Sequence, residues 1–169
     1  LGRQVPAPGP TPPFSVLLLV HESLGPLGLD PEGAPFLAGE AASGRLLTFD
    51  RAYAPASMTD VALPSILSGV NPVQGSQLYH RVPLLWHRAQ AAGYATAFLS
   101  AQRLNYYGFP DYLLADGLEA WESADHAGWP LVNDTGADDG VLVDQLKGWL
   151  DRAGDRPTFT VLQFNATHA

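Results

Sequence analysis

Residues 56–69 read Ala-Ser-Met-Thr-Asp-Val-Ala-Leu-Pro-Ser-Ile-Leu-Ser-Gly. Their apolar side chains recur at three- and four-residue spacing, which predicts a helix, and Gly69 stands where a helix ends. Ser57 followed by Asp60 is typical of a capping box, so the helix is expected to begin within 58–60. The apolar positions are Val61, Leu63, Ile66 and Leu67, and the last three should share one face.

Thr59 would place a hydroxyl in the first turn of this helix. The free backbone N–H groups and the positive end of the helix dipole lie there, and both suit an anion such as phosphate or sulfate. The alternative is that Thr59 only caps the helix, since Thr, Ser and Asp are common capping residues. The local pattern leaves both interpretations open.

Residues 14–20 form a continuous aliphatic run, which is typical of a buried central strand. Glu22 follows this strand directly, and the carboxyl ends of strands are where ligands bind in open α/β sheets. A solvated loop acid is the alternative interpretation of Glu22. The spacing of 37 residues between Glu22 and Thr59 matches about one strand–helix–strand unit.

The remaining pattern alternates helices with strands, which predicts an α/β fold with a mainly parallel sheet in a three-layer sandwich. The strands 14–20, 94–99 and 158–164 should share that sheet. Phe36 and Leu37 of one helix should face the sheet, and Leu47 and Phe49 of the strand 45–54 should be buried. Residues 102–121 are expected to form short helices and loops. The predicted helices are 31–43, 83–92 and 138–153.

Composition narrows the class of protein. The 169 residues are 46% apolar, which indicates a globular chain, and the proline-rich residues 1–13 predict an extended linker before a domain at 14–169. The net charge of −8 argues against a nucleic-acid partner. The chain has no cysteine, so disulfides and cysteine metal sites are excluded.

Several motifs occur in an order that resembles a known family. They are the first strand with Glu22-Ser23, Pro35-Phe-Leu-Ala38, 49–54, 57–69 and the closing segment 159–168. Together they resemble the N-terminal part of the sulfatase-like catalytic domain of the alkaline phosphatase superfamily. The similarity is greatest to the branch that contains phosphoethanolamine transferases and lipoteichoic acid synthases. It implies an alkaline phosphatase-like sandwich, present here only in part.

The resemblance implies a role for each matching residue. Glu22 would bind a divalent metal ion (zinc, manganese or magnesium), and Thr59 would be both a metal ligand and the nucleophile. His168, after the last strand, would contact the phosphate group of the substrate. Asn165 lies on the same rim and is a further candidate for substrate binding.

The chain departs from the family pattern in one respect. Family members complete the metal site with an Asp-His pair after the later strand, whereas Asp125-His126 precedes that strand here. His21 adjoins Glu22, but neighbours on a strand point to opposite faces, so joint ligation is not expected. We therefore expect this chain to lack the second part of the domain, to be inactive alone and to bind metal weakly.

The predicted function is metal-dependent transfer of a phosphoethanolamine- or glycerophosphate-type group through a phospho-threonine. One alternative is a phosphodiesterase or sulfatase-like hydrolase on the same fold, and the other is a truncated or degenerate domain without catalysis. The expected substrate is a phospholipid-type molecule or another phosphate or sulfate ester. By resemblance, the parent protein would be membrane-anchored, on the periplasmic or extracellular face.

Overall fold

The computed structural model describes residues 7, 9–10, 14–24, 32–49, 51–105, 108–114 and 117–166. Four strands and four α-helices lie in these ranges, with short 3-10 and π segments between some of them. The strands are β1 (Val16–His21), β2 (Ala95–Ser100), β3 (Ala120–Glu122) and β4 (Thr158–Phe164). The helices are α1 (Pro35–Ala42), α2 (Thr59–Ser68), α3 (Leu85–Ala91) and α4 (Gly140–Ala153).

The four strands form one sheet in the order β1-β4-β2-β3, and every pair is parallel. In register, Val20 of β1 lies beside Gln163 of β4, which in turn lies beside Ser100 of β2. The prediction that strands near 14–20, 94–99 and 158–164 share a parallel sheet is confirmed. Because parallel strands end at the same edge, residues that follow β1, β2 and β4 come together.

Helices cover both faces of the sheet, which confirms the three-layer arrangement. On one face, α2 and α3 bury a large cluster with Phe98 of β2 and Val161 of β4. On the other face α4 packs on β2 and β4, and the buried Ala95 and Ala97 leave room for Trp149. The side chains of the first cluster that are fully or nearly fully buried are Leu63, Leu67, Leu84, Trp86, Leu104, Phe109, Leu113 and Leu114.

The first strand is less buried than its sequence predicted. Within the described residues β1 pairs only with β4, so it is an edge strand and not a central one. Leu17 and Leu19 are each 48% exposed, because they point to the face where α4 packs over β2 and β4. Leu18 and Val20 point the other way and pack against the main core. The aliphatic run correctly predicted a parallel strand, but it did not predict the strand's position.

The predicted strand 45–54 is wrong, since residues 45–49 and 51–54 have no strand structure. Leu47 and Phe49 are 78% and 74% exposed. A strand needs a hydrogen-bonded neighbour, and no pairing of the described sheet includes this segment. The helix α1 is shorter than predicted, and Phe36 is 75% exposed instead of facing the sheet.

The strand β3 was missed, because the aromatic-rich stretch before Glu122 shows no clear alternation. It pairs with β2 over only three residues, from Ala97–Ala120 to Leu99–Glu122. A strand this short carries too little periodicity to be recognised from sequence.

Candidate active site

The chain turns sharply at the carboxyl end of β1. Ser23 has a φ of 55°, in the left-handed region that side chains other than glycine seldom adopt. Strained backbone of this kind often occurs at functional sites. Glu22 immediately precedes this turn and lies on the side of the sheet that carries α2.

The helix α2 begins at Thr59 and ends at Gly69, whose φ of 72° and N–H bond to the Ser65 carbonyl form a left-handed C-cap. The N-cap is Met58, whose side chain has no oxygen to accept a hydrogen bond, so the predicted capping box is wrong. The first bonds to the Met58 carbonyl come from Val61 and Ala62. The N–H groups of the two residues before them stand at the open end of the helix.

The Thr59 hydroxyl lies 3.1 Å and 3.2 Å from the two carboxylate oxygens of Glu22, within hydrogen-bond distance. The structure therefore brings together two side chains 37 residues apart, as the sequence predicted. His21 points to the opposite face, where its ring stacks on Phe164 with centroids 4.5 Å apart. Joint ligation by His21 and Glu22 is not supported, in agreement with the strand alternation.

A cavity of about 280 Å³ opens beside this pair of side chains. The end of β1, the segment before α2 and the exposed side of α2 form its walls. Among the described residues that line it there is no lysine or arginine. An anionic substrate would therefore need the helix end and a bound cation to balance its charge.

A carboxylate and a hydroxyl are hard oxygen donors, and this donor set suits zinc, manganese or magnesium. The described part of the chain holds no group of three or more His, Cys, Asp or Glu that could complete a metal site. Glu22 and Thr59 thus fit as part of such a site. A closed site needs more ligands than these two.

A buried polar network lies directly behind Glu22, and the sequence analysis missed it. Gln163 is fully buried and donates from Nε2 to Glu22 Oε1 at 2.9 Å and to Gln102 Oε1 at 2.8 Å. Its own Oε1 accepts from the Ser100 hydroxyl at 3.1 Å. The available signal was a glutamine within an otherwise apolar strand, because a buried amide must find hydrogen-bond partners.

Asn165 is fully buried at the end of β4, and its side chain contacts the loop 133–137. Its Oδ1 accepts from the Thr135 hydroxyl at 2.8 Å, and its Nδ2 donates to Asn133 Oδ1 at 3.2 Å. The substrate-binding role of Asn165 stays a prediction. His168, the other predicted substrate-binding residue, lies outside the described residues.

Asp139 fixes the chain where it leaves β4. Its two carboxylate oxygens accept from the backbone N–H groups of Asn165 at 2.6 Å and Ala166 at 2.8 Å. Gly136 packs close to the same place, and only glycine fits there. A Cβ at this position would overlap the Ala101 carbonyl oxygen and come within 2.9 Å of Asn165 Cγ. Asp139 and the loop before it therefore fix the backbone at residues 165–166.

Asp125 and His126 lie after β3, at the opposite edge of the sheet from β1. Three strand spacings separate those edges, about 14 Å, so the pair does not join the Glu22 site. His126 stacks on Trp121 with centroids 4.1 Å apart and contacts Glu122 at 3.0 Å.

Asp125 has a structural role, since its carboxylate accepts hydrogen bonds from Leu104, Asn105 and Ser123. Burial raises the pKa of Asp125, but the bonds from the Ser123 hydroxyl and from backbone N–H groups lower it more. The pKa of Asp125 therefore lies below its ordinary value.

Comparison with known structures supports the fold. A protein of the alkaline phosphatase superfamily from Vibrio parahaemolyticus superposes with a TM-score of 0.71 at 18% identity, covering 97% of this chain and 43% of that one. The soluble domain of lipooligosaccharide phosphoethanolamine transferase A from Neisseria meningitidis gives 0.69 at 16% identity, covering 97% of this chain and 48% of that one. This chain thus spans less than half of either protein, and the likeness shows a shared fold.

A search of curated proteins found no match. In the ranges that the structure describes, none of the helices has the length and apolar character needed to cross a membrane. The Sulfatase family model matches residues 15–169, which is nearly the whole chain. The chain therefore belongs to the sulfatase family.

Proposed function

We propose that this domain takes part in metal-dependent transfer of a phospho-containing group, of phosphoethanolamine or glycerophosphate type, with Thr59 as the nucleophile. The observation that carries the proposal is the Thr59 hydroxyl, 3.1 Å from the Glu22 carboxylate. It stands at the first turn of α2, beside a cavity at the carboxyl edge of a parallel sheet. Sites of this kind bind anionic ligands.

The substrate's phosphate would sit against the open N-terminus of α2. The N–H groups of Thr59 and Asp60 would donate to its oxygens, and the helix dipole favours its negative charge. Thr59 Oγ1 would then form a bond to phosphorus while the bond from phosphorus to the donor's alcohol oxygen breaks. The hydroxyl proton leaves Thr59, and the departing alcohol takes up one proton, so the step is balanced.

Glu22 and Thr59 are the residues that would hold the divalent cation on this chain. When bound, such a cation stabilises negative charge on the nucleophile and polarises the phosphoryl group. Glu22 orients the Thr59 hydroxyl through their contact. His168, which follows β4 in the sequence, is proposed to contact the transferring group.

In the second half of the reaction, an acceptor oxygen attacks the phosphorus of phospho-Thr59 and restores the free hydroxyl. An alcohol acceptor gives a transferase, and water gives a phosphodiesterase or sulfatase-like hydrolase. The phosphoethanolamine transferase from Neisseria favours the first outcome, as a neighbour in fold. A degenerate domain without turnover is the third candidate. A phospholipid-type substrate and a membrane-anchored parent protein on the periplasmic or extracellular face are part of the proposal, and they rest on the resemblance of the sequence motifs.

Thr59 is the first residue of α2 and not its cap, so two substitutions in the native protein that contains this domain separate a nucleophile from a structural hydroxyl. Thr59→Ala should lower turnover of a phosphodiester substrate by several orders of magnitude, since the covalent step is lost. Thr59→Ser should keep part of the rate. If the Thr59 hydroxyl has only a structural role through its bond to Glu22, Thr59→Ala costs about 1.5 kcal/mol of stability and leaves the rate per folded molecule nearly unchanged.

Mass spectrometry provides the direct readout. Substrate-treated protein should carry a phospho-group adduct on the peptide that contains Thr59, and the adduct should be absent in Glu22→Ala. Ser57→Ala is the matched control, because Ser57 is a second hydroxyl in the wall of the same cavity. An adduct that persists in Thr59→Ala and disappears in Ser57→Ala would reassign the nucleophile to Ser57.

A further inference from the structure

The side-chain amide of Gln163 is held in one orientation by its neighbours. The Glu22 carboxylate can only accept, so it fixes Nε2 on its side, and the Gln163 oxygen then accepts from the Ser100 hydroxyl. Both protons on Nε2 then have acceptors, one on Glu22 and one on Gln102. A flipped amide would set its oxygen against the Glu22 carboxylate and the Gln102 carbonyl, so it is disfavoured.

The network is shielded from water. Ser100 and Gln163 are fully buried, and Gln102 is 6% exposed. The Ser100 hydroxyl also accepts from the Gln102 backbone N–H at 3.0 Å, which ties the serine to the end of β2. Buried hydrogen bonds of this kind fix a geometry, because solvent cannot replace a lost partner.

We propose that Gln163 is a positioning residue for Glu22. Its amide holds Glu22 Oε1 from behind and so directs the carboxylate towards Thr59 and the cation that the two residues would share. The inference rests on the proposed function, since it concerns the same carboxylate. It goes beyond that function by assigning the geometry of Glu22 to a buried amide on β4.

The contacts of Gln163 and Thr59 with Glu22 come from different directions. Gln163 reaches it from the sheet, and Thr59 from the start of α2. The contact with Thr59 changes when the hydroxyl reacts, because its proton leaves and its oxygen bonds to phosphorus. The bond from Gln163 does not depend on the state of Thr59. It would therefore keep the carboxylate in place through both halves of the reaction.

The test compares three variants of the native protein, each of which removes a buried polar group from the sheet. Gln163→Met keeps the length of the side chain and removes the donor to Glu22. Ser100→Ala leaves that donor but removes the bond that orients it. Thr160→Val is the matched control, because Thr160 is equally buried on β4 and bonds Trp149 on the opposite face.

The probe is Mn²⁺ alone, with free ion measured by electron paramagnetic resonance and folding checked by urea unfolding. Loss of a group that orients a metal ligand typically weakens metal affinity by about 10- to 100-fold. We expect Gln163→Met to weaken Mn²⁺ binding by at least about 10-fold, Ser100→Ala to weaken it less, and Thr160→Val to match the wild type.

Three results would overturn the inference. They are wild-type affinity in folded Gln163→Met, an equal loss in Thr160→Val, and a wild-type protein that does not bind Mn²⁺. If Gln163→Met does not fold, the Mn²⁺ affinities of Ser100→Ala and Thr160→Val are compared instead. Equal affinities would then overturn the inference. Failure of the proposed function would look different. The Mn²⁺-loaded wild type would form no adduct on Thr59, while the variants would still differ in their affinity for Mn²⁺.

Discussion

Replacing Asp139 by alanine should loosen the end of β4 in a way that can be measured residue by residue. The carboxylate accepts two short hydrogen bonds from consecutive backbone N–H groups, on Asn165 and Ala166. A hydrogen bond to a charged group contributes about 1.5–3 kcal/mol to stability. Ala166 is exposed, so water can replace the carboxylate there, whereas Asn165 is fully buried.

The expected cost of Asp139→Ala is therefore about 2 kcal/mol, nearly all of it from the Asn165 bond. Asp139→Asn retains one side-chain oxygen and should lose about half of this. Asp138→Ala is the control, since within the described residues that neighbouring carboxylate accepts an exposed bond, from the N–H of Gly140. It should change the free energy of unfolding by less than about 1 kcal/mol.

Urea unfolding gives the total, and amide hydrogen exchange shows where the loss occurs. In Asp139→Ala the protection of the Asn165 amide should fall, while amides in the middle of β4 keep theirs apart from the global change. Equal stability of Asp139→Ala and Asp138→Ala, with Asn165 still protected, would refute this reasoning. The turn at residues 165–166 would then be held by the contacts of the Asn165 side chain.

Three further outcomes are expected. Asp125→Asn should destabilise the fold at neutral pH, and its difference from the wild type in urea midpoint should shrink below about pH 4. The reason is that folding lowers the pKa of Asp125. The stabilisation from its carboxylate is therefore complete above the pKa of the unfolded state and is lost as the pH falls through the pKa of the folded state. Trp149→Phe should cost about 1 kcal/mol by leaving the buried Thr160 hydroxyl without its indole donor, and adding Thr160→Val should recover part of that cost; additive losses in the double-mutant cycle would contradict the contact. Residues 1–169 alone should bind zinc or manganese weakly by calorimetry, and tight stoichiometric binding would show that the chain supplies more ligands than Glu22 and Thr59.

Sequence periodicity predicted the elements whose buried residues recur at helical spacing or fill a whole strand. In α4, Leu142 and Trp149 are buried at the spacing of one helix face, and β2 is buried on both faces, as its apolar run indicated. The segment 45–54 also contains apolar residues, as β2 does, but it is not paired with the described sheet. Periodicity shows that a segment could be buried, and only the neighbours that it meets determine whether it is.

The candidate site was predictable to the extent that it depends on the ends of elements. Glu22 follows an aliphatic strand and Thr59 begins a helix, and both features can be recognised locally. The contact between them and the amide behind them depend on which strands are neighbours. Nothing local in residues 158–164 indicates that β4 lies between β1 and β2.

The register of the sheet explains why Gln163 reaches Glu22 at all. Val20 and Ser100 lie on either side of Gln163, so the Glu22 that follows β1 and the hydroxyl that ends β2 meet one amide on the same face. They are 141 and 63 residues away from it along the chain. A slip of β4 by one residue would turn Gln163 towards α4 and bring an aromatic ring, Phe164, behind the carboxylate. The buried bonds from Ser100 and Gln102 oppose that slip, since only the observed register satisfies them. The same network therefore fixes the pairing of the strands and the geometry of the proposed site, and stability and function of this edge should change together when it is altered.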